Sequence, residues 1–179
     1  MNVDEIKLMY EYNDWADARI LASCSRVSAD QYAAETSIGT GRGGLRTTMV
    51  HLLDSMWQDR ITLQGYYKEP LENEAAYDAT ELHEDVFPTF AALQERWTTE
   101  QREMRAYLDT LTEEALNGTI RYVIPGVIRE RVVWHFLVAA LLHNMQHRSE
   151  AAVLLTSYGQ SPGDLEFTLF LNERASGKS

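Results

Sequence analysis

Cysteine is nearly absent from this chain: Cys24 stands alone among 179 residues. A lone cysteine excludes an internal disulfide framework, a Cys-based zinc site and a CxxC redox pair. Positive charge is also scarce, with 16 Lys plus Arg against 27 Asp plus Glu and a formal net charge of −11. Such a surface repels phosphate, and no basic patch offsets it. Arg42/Arg46, Arg102/Arg105 and Arg129/Arg131 are each interleaved with apolar or acidic residues, so nucleic acid and anionic membrane are poor partners. A long apolar run is missing too. The longest, 132–142, is interrupted by His135 and is too short to span a bilayer. Met1 to Glu5 lack the basic and apolar regions of a secretory leader, so a cytoplasmic location is expected. Repeats, low-complexity tracts and long linkers are absent. The 45% hydrophobic content suits one folded domain over 1–179, with a loose tail near 174–179.

What the chain does contain is helical periodicity. The first helix is expected over about 4–26, capped by Asp4, with Ile6, Met9, Tyr10, Ala16, Ile20 and Cys24 on one stripe. Asn13 interrupts that stripe with a polar group. Ser28-Ala29-Asp30-Gln31 has the capping-box pattern of a short turn. The stretch 36–44 carries Gly39, Gly41, Gly43 and Gly44 and reads as a loop. It lacks the Lys-Ser/Thr ending and preceding strand of a phosphate loop. A second helix is expected over about 45–65, and a third over about 86–111 with Pro88 in its first turn. From 117 to 130 the pattern turns β-branched around Pro125-Gly126, a type II turn pair flanked by a hairpin or two extended arms. A fourth helix over about 131–158, ended by Gly159, is apolar all round in its first half, as for a central buried helix. Leu165, Phe167, Leu169 and Phe170 are expected to pack onto the rest. These signals predict an all-α four-helix bundle with a short extended or hairpin segment before the last long helix.

Such bundles build metal sites from side chains on facing helices, and five histidines are available. His143 and His147, four apart, lie about 40° from each other on one helix face with Cβ atoms about 6 Å apart. Two imidazoles so placed can close on one ion; they can equally form a polar rim or bond backbone carbonyls. His51 is a lone imidazole within Thr48-Met49-Val50-His51-Leu52-Leu53, either a satisfied core residue or a ligand. Three histidines from two core helices would leave coordination positions open, as in catalytic sites. Asn144 stands where a zincin carries its glutamate base, and no Glu-x-x-His occurs in the chain, so neither a zincin nor a di-iron carboxylate bundle is encoded. His135 reads as a packing residue near the helix start, and His83 as a solvated surface group. Glu150 falls about 20° from His143 and three residues after His147. Four roles are open to it: a fourth ligand, a partner for an imidazole N–H, a general base, or a solvated surface carboxylate. Asp54, three residues after His51, shares that ambiguity. Asn13 either hydrogen-bonds substrate or serves as a bonded core residue.

These residues resemble the DinB/YfiT-like family of metal-binding four-helix bundles. Tyr12-Asn13-Asp14-Trp15-Ala16 is similar to the family's Tyr-Asn-x-Trp-Ala opening helix. Leu45 to Leu52 resembles the segment carrying its first metal histidine, and His143-Asn144-Met145-Gln146-His147-Arg148 its histidine pair followed by Arg. Gly163-Asp164-Leu165-Glu166-Phe167 is similar to its C-terminal piece. Gln146 replaces another histidine found in many members, and Ser149-Glu150 replaces the usual Gly-Gln. The resemblance implies that His51, His143 and His147 hold one divalent ion, with nickel and zinc foremost and no choice made by spacing. Characterised relatives include transferases and isomerases in which the metal binds a low-molecular-weight thiol. The expected function is therefore a metal-dependent enzyme activating a small thiol or water, thiol S-transferase-like or hydrolytic. The alternative is a non-catalytic metal-binding stress-response bundle. The expected partner is a small-molecule substrate or thiol. A homodimer is plausible if Trp57, Trp97 or Tyr107 is shared between subunits. Cys24, on the apolar stripe, reads as an inert core thiol.

Overall fold

In the computed structural model, residues 1–36, 43–125 and 127–177 are described. The elements run α1 Val3–Cys24, α2 Ala29–Ala33, α3 Leu45–Leu63, α4 Glu74–Asp78, α5 Phe90–Asp109, α6 Glu113–Asn117, β1 Thr119–Ile124, β2 Val127–Val132, α7 Val133–Ser157 and α8 Phe167–Ala175. The four long helices α1, α3, α5 and α7 form the bundle, and α7 packs on both α1 and α3.

Local chemistry sets most of the boundaries. The cap of α1 is Asn2 rather than Asp4. Asn2 Oδ1 accepts from the Glu5 amide at 2.8 Å, and Glu5 Oε2 accepts from the Asn2 amide at 2.9 Å, a complete capping box. The expected box at Ser28 and Gln31 is present and starts α2. The third long helix begins at Phe90, four residues later than its pattern indicated. The reason is Pro88, which disfavours helical backbone at the preceding residue. Phe87 lies at φ −124°, ψ 61°, only a single 3-10 turn forms over Glu84–Val86, and Thr89 caps α5. Gly159 ends α7 with φ +74°, a left-handed conformation that favours glycine. At Gly44, just before α3, a Cβ would run into the Ala34 carbonyl. Glycine there lets the chain bridge Glu35 to Gly44 and turn directly into α3. Of the glycine loop expected over 36–44, residues 37–42 lie outside the described residues.

Strands β1 and β2 pair antiparallel, from Thr119 opposite Val132 to Ile124 opposite Val127. That register selects the hairpin over two separate arms and leaves Pro125-Gly126 as its two-residue loop. The type II geometry expected there involves Gly126, which is outside the described residues. The Val123 amide donates to the Tyr67 carbonyl at 2.7 Å, tying the hairpin to the segment after α3.

The core divides into two apolar clusters. One contains Ile20, Met49, Leu53, Trp97 and Leu154; the other contains Ile6, Tyr10, Met104, Leu108 and Leu137. Between them each long helix supplies buried polar groups: Asn13 and Asp17 from α1, Arg60 from α3, Glu100 from α5, and Asn144, His147 and Arg148 from α7. The bundle thus carries a polar layer at mid-height. Burial of α7 is one-sided, contrary to its all-apolar reading: Leu142 is 54% exposed, and Met145 and Val153 also face outward. Trp97 is buried, Trp57 lies under the Arg96 guanidinium, and Tyr107 packs against the second cluster. All three aromatics therefore serve the chain's own packing. The segment expected to pack near the end becomes α8, whose Phe167 and Phe170 rings meet Tyr12 edge-on. Among the described residues no helix is long and apolar enough to cross a membrane.

Candidate metal centre

The polar layer opens on one side where α3 faces α7. His51 projects from the middle of α3, and His143 and His147 project one turn apart from α7. One ligand nitrogen from each imidazole lies within 4.8 Å of the others. His51 Nε2 and His143 Nε2 are 3.1 Å apart, and the three rings meet at steep angles with centroids 4.5 to 5.2 Å apart. A tetrahedral ion with bonds of about 2.0–2.1 Å to nitrogen separates its ligand atoms by about 3.3 Å. The His51–His143 separation is close to that spacing and the His147 nitrogen lies within 4.8 Å of both, so ring rotations would bring all three nitrogens onto one ion.

The surroundings fit a metal as well. His147 Nδ1 lies 2.6 Å from Glu150 Oε2. With Nδ1 donating to that oxygen, a neutral ring would have the lone pair of Nε2 free for a ligand. This is the carboxylate–histidine arrangement that orients metal-binding imidazoles. Of the roles left open by spacing, this contact fits the partner of an imidazole N–H. Ser55 Oγ is 3.2 Å from His143 Nε2, adding a hydroxyl at the rim, one turn after His51.

Arg148, next to His147, is 2% exposed and enters the polar layer. Its Nη1 donates to Asp17 Oδ1 and to Asn13 Oδ1, both at 2.8 Å, while Asn13 Nδ2 donates to Asp17 Oδ2 at 2.9 Å. Burial pulls the Asp17 carboxyl upward, against the Arg148 charge and its hydrogen bonds. Both ends of the Asn13 amide are engaged in this network. Asn13 therefore anchors Arg148, and through it the α7 segment that bears the histidines. Asp54 accepts from Gln58 Nε2 and from the Leu82 amide, fixing the chain after α4, and is not among the residues whose ligand atoms converge. Cys24 is buried and its thiol is pushed up to about 12 by desolvation, as for an inert core residue.

A cavity of about 710 Å³ opens beside His51 and His143, with Ser55, Asp59, Tyr122, Arg131, His135 and Phe136 among its walls. His135 is exposed on the wall of this cavity, with its ring packed edge-on against Trp134 at 4.0 Å between centroids. His83 is exposed, as expected. The hairpin contributes Tyr122 and Arg131, which spacing along one helix had no means of finding. Asp59, eight residues after His51, was missed for another reason: a carboxylate on a half-polar helix face has no distinctive pattern in sequence.

A helical bundle holding a three-histidine centre between two of its long helices defines this protein as a candidate metal-binding bundle. The sequence profile of the DinB family matches residues 1–176. The chain belongs to the DinB family. No protein of curated function matches it.

Proposed function

We propose that this DinB-family chain is a metal-dependent enzyme in which His51, His143 and His147 hold one divalent ion, nickel or zinc, and act on a small-molecule substrate. One observation carries the reading: the three imidazole nitrogens converge within 4.8 Å of one another, and two of the rings, His51 and His143, line a cavity of about 710 Å³. A site that only stabilised the bundle would have no need of that open space. When bound, a divalent ion of this kind lowers the pKa of a small thiol or of water and so supplies a nucleophile near neutral pH.

The chain's own residues do the rest. Glu150 holds the His147 ring by its Nδ1 proton, fixing which nitrogen faces the ion. Three neutral imidazoles leave the ion's charge uncompensated, which favours an anionic fourth ligand such as a thiolate. Tyr122 and Phe136, in contact at 5.5 Å between ring centroids, give the cavity an apolar wall against which an organic substrate can lie. A thiol S-transferase-like reaction is the first expectation and hydrolysis the second.

The test is an assay of the protein loaded with nickel or zinc. Cysteine or glutathione is paired with 1-chloro-2,4-dinitrobenzene for transfer, and p-nitrophenyl acetate reports hydrolysis. Turnover that needs both metal and His147 supports the reading. Activity no higher than that of His147→Ala across the panel would overturn it. Elemental analysis of untagged protein is expected to give about one equivalent of metal, lost when all three histidines become alanine.

A further inference from the structure

A second cavity, of about 440 Å³, adjoins the one at the histidines and shares Gln58, Asp59, Tyr122 and Phe136 with it. Its size suits a small organic ligand. The shared residues make the two cavities neighbours along α3. His51 and Asp59 are eight residues apart on that helix, about 12 Å along its axis.

The second cavity is walled by aromatic rings: Tyr67 from the connection after α3, Tyr77 from α4, Tyr122 from β1 and Phe136 from α7. The chain itself holds these rings in place. Tyr67 and Tyr77 lie nearly parallel, with centroids 6.1 Å apart and planes 7° off. Tyr67 donates to Thr80 Oγ1 at 2.7 Å, and the Tyr77 hydroxyl accepts from the Leu71 amide at 3.2 Å. Tyr122 meets Phe136 edge-on. With both hydroxyls of the parallel pair engaged, these side chains offer a ligand mainly ring surface.

The charges around the rings are of one sign. Asp59, Glu74, Asp78 and Glu81 contribute to the walls, and no lysine, arginine or histidine does so among the described residues. None of these four carboxylates is in an ion pair with another described residue. The acidic surplus of the chain does not by itself produce this. The histidine cavity has Arg131 on its wall, and a groove of about 830 Å³ elsewhere carries Lys68 and Arg121 beside Glu69 and Glu114.

Aromatic faces carry negative charge density and attract cations, most strongly where water is excluded. A cleft lined by one sign of charge adds to that attraction and concentrates it. An anion is repelled by both, and a neutral apolar group gains from the rings alone.

We propose that the second cavity is a recognition subsite for an organic cation, an ammonium or trimethylammonium group carried on an apolar arm. As a subsite for the substrate it rests on the enzymatic reading above; as a binding site it does not. The arm would run along α3 and Tyr122, placing the reacting group at the histidines and the charge about two helical turns away.

Calorimetric titration of the full chain at low salt tests this, with and without zinc. The probes are benzyltrimethylammonium, neutral benzyl alcohol and anionic phenylacetate. Benzyltrimethylammonium is expected to bind at least about 10-fold more tightly than benzyl alcohol, and phenylacetate not measurably. Asp78→Asn/Glu81→Gln alters only exposed positions and is expected to weaken the cation about 3- to 10-fold while leaving benzyl alcohol unchanged. Asp30→Asn/Glu95→Gln, an equal loss of exposed charge elsewhere, is expected to change neither. Tyr77→Leu, with its fold checked by circular dichroism, is expected to remove most of the selectivity. In the zinc-loaded protein, kcat/KM for p-nitrophenyl 8-(trimethylammonio)octanoate is expected to exceed that for p-nitrophenyl octanoate about 10-fold, chiefly through KM.

Equal affinity for benzyltrimethylammonium and benzyl alcohol would overturn the subsite. So would a cation preference that survives both Asp78→Asn/Glu81→Gln and Tyr77→Leu. Selective cation binding without turnover of either ester would remove the enzymatic reading and leave the binding site standing. Turnover of both esters with equal kcat/KM would keep the enzyme and remove this cavity from substrate recognition.

Discussion

Glu150 shows how one side chain sets the chemistry of its neighbour. Its carboxylate is mostly shielded, sits 2.6 Å from His147 Nδ1, and is not among the three residues whose ligand atoms converge. Removing it would free the imidazole to rotate and to place its proton on either nitrogen. Partners of this kind typically contribute 10–100-fold in metal affinity. Glu150→Ala is accordingly expected to weaken zinc binding about 10- to 100-fold in a competitive chelator titration, with little change in helicity by circular dichroism. Glu150→Gln, which keeps an acceptor on Nδ1 but loses the charge, is expected to fall between wild type and Glu150→Ala. Equal affinity in all three proteins would show that the carboxylate is only a surface group. The histidine pair and Glu150 were both legible in the sequence because i, i+4 and i+7 neighbours share a helix face. Which role Glu150 takes was not, since spacing places a side chain on a face without fixing its rotamer.

Between elements, the polar layer does what apolar packing cannot, because it fixes the rotation of α1 against α7. Arg148 is gripped by Asp17 and Asn13 across that interface, and Arg60 and Arg96 hold Glu100, which is 0% exposed, between α3 and α5. Breaking one partner of such a pair leaves a bare buried charge, a loss of about 3–5 kcal/mol. Arg148→Met is therefore expected to destabilise the protein by about that amount in urea unfolding. The double variant Arg148→Met/Asp17→Asn is expected to recover a good part of the loss. A double variant no better than the single one would mean that the pair is not coupled. The helices themselves were readable from their periodicity and caps. Their rotation was not, because Asn13 and Arg148 look in sequence like polar interruptions of apolar stripes, and nothing local says that they meet.

At the scale of the whole molecule, the candidate metal centre joins α3 to α7 through His51 and His143, which are 92 residues apart in the chain. An ion that binds only the folded state stabilises it by RT ln(1 + [L]/Kd), about 2.7 kcal/mol at a hundredfold excess over Kd. For a domain of this size that corresponds to a rise in Tm of about 5–10 °C. Thermal unfolding with added zinc and then with chelator is expected to move the midpoint up and back by that amount. His51→Ala is expected to abolish the zinc-dependent part, and a midpoint indifferent to zinc in wild type would count against a shared site. The net charge of −11 acts at this scale too, by favouring cations over phosphate along the whole surface.

By itself the sequence determined the helical class, the family, the capping box at Ser28, the termination at Gly159 and the three histidines. All of these follow from short-range rules, in which a residue's role is set by neighbours within a turn or two. The tertiary structure decided what depends on distant segments meeting. It brought His51 to the α7 pair, Asn13 to Arg148, and the hairpin residues Tyr122 and Arg131 to the cavity wall. Chain connectivity leaves no local trace of such meetings, because a buried carboxylate and a solvated one have the same letter. Only the packing of the helices sets the dielectric around each and determines whether a cation is within reach.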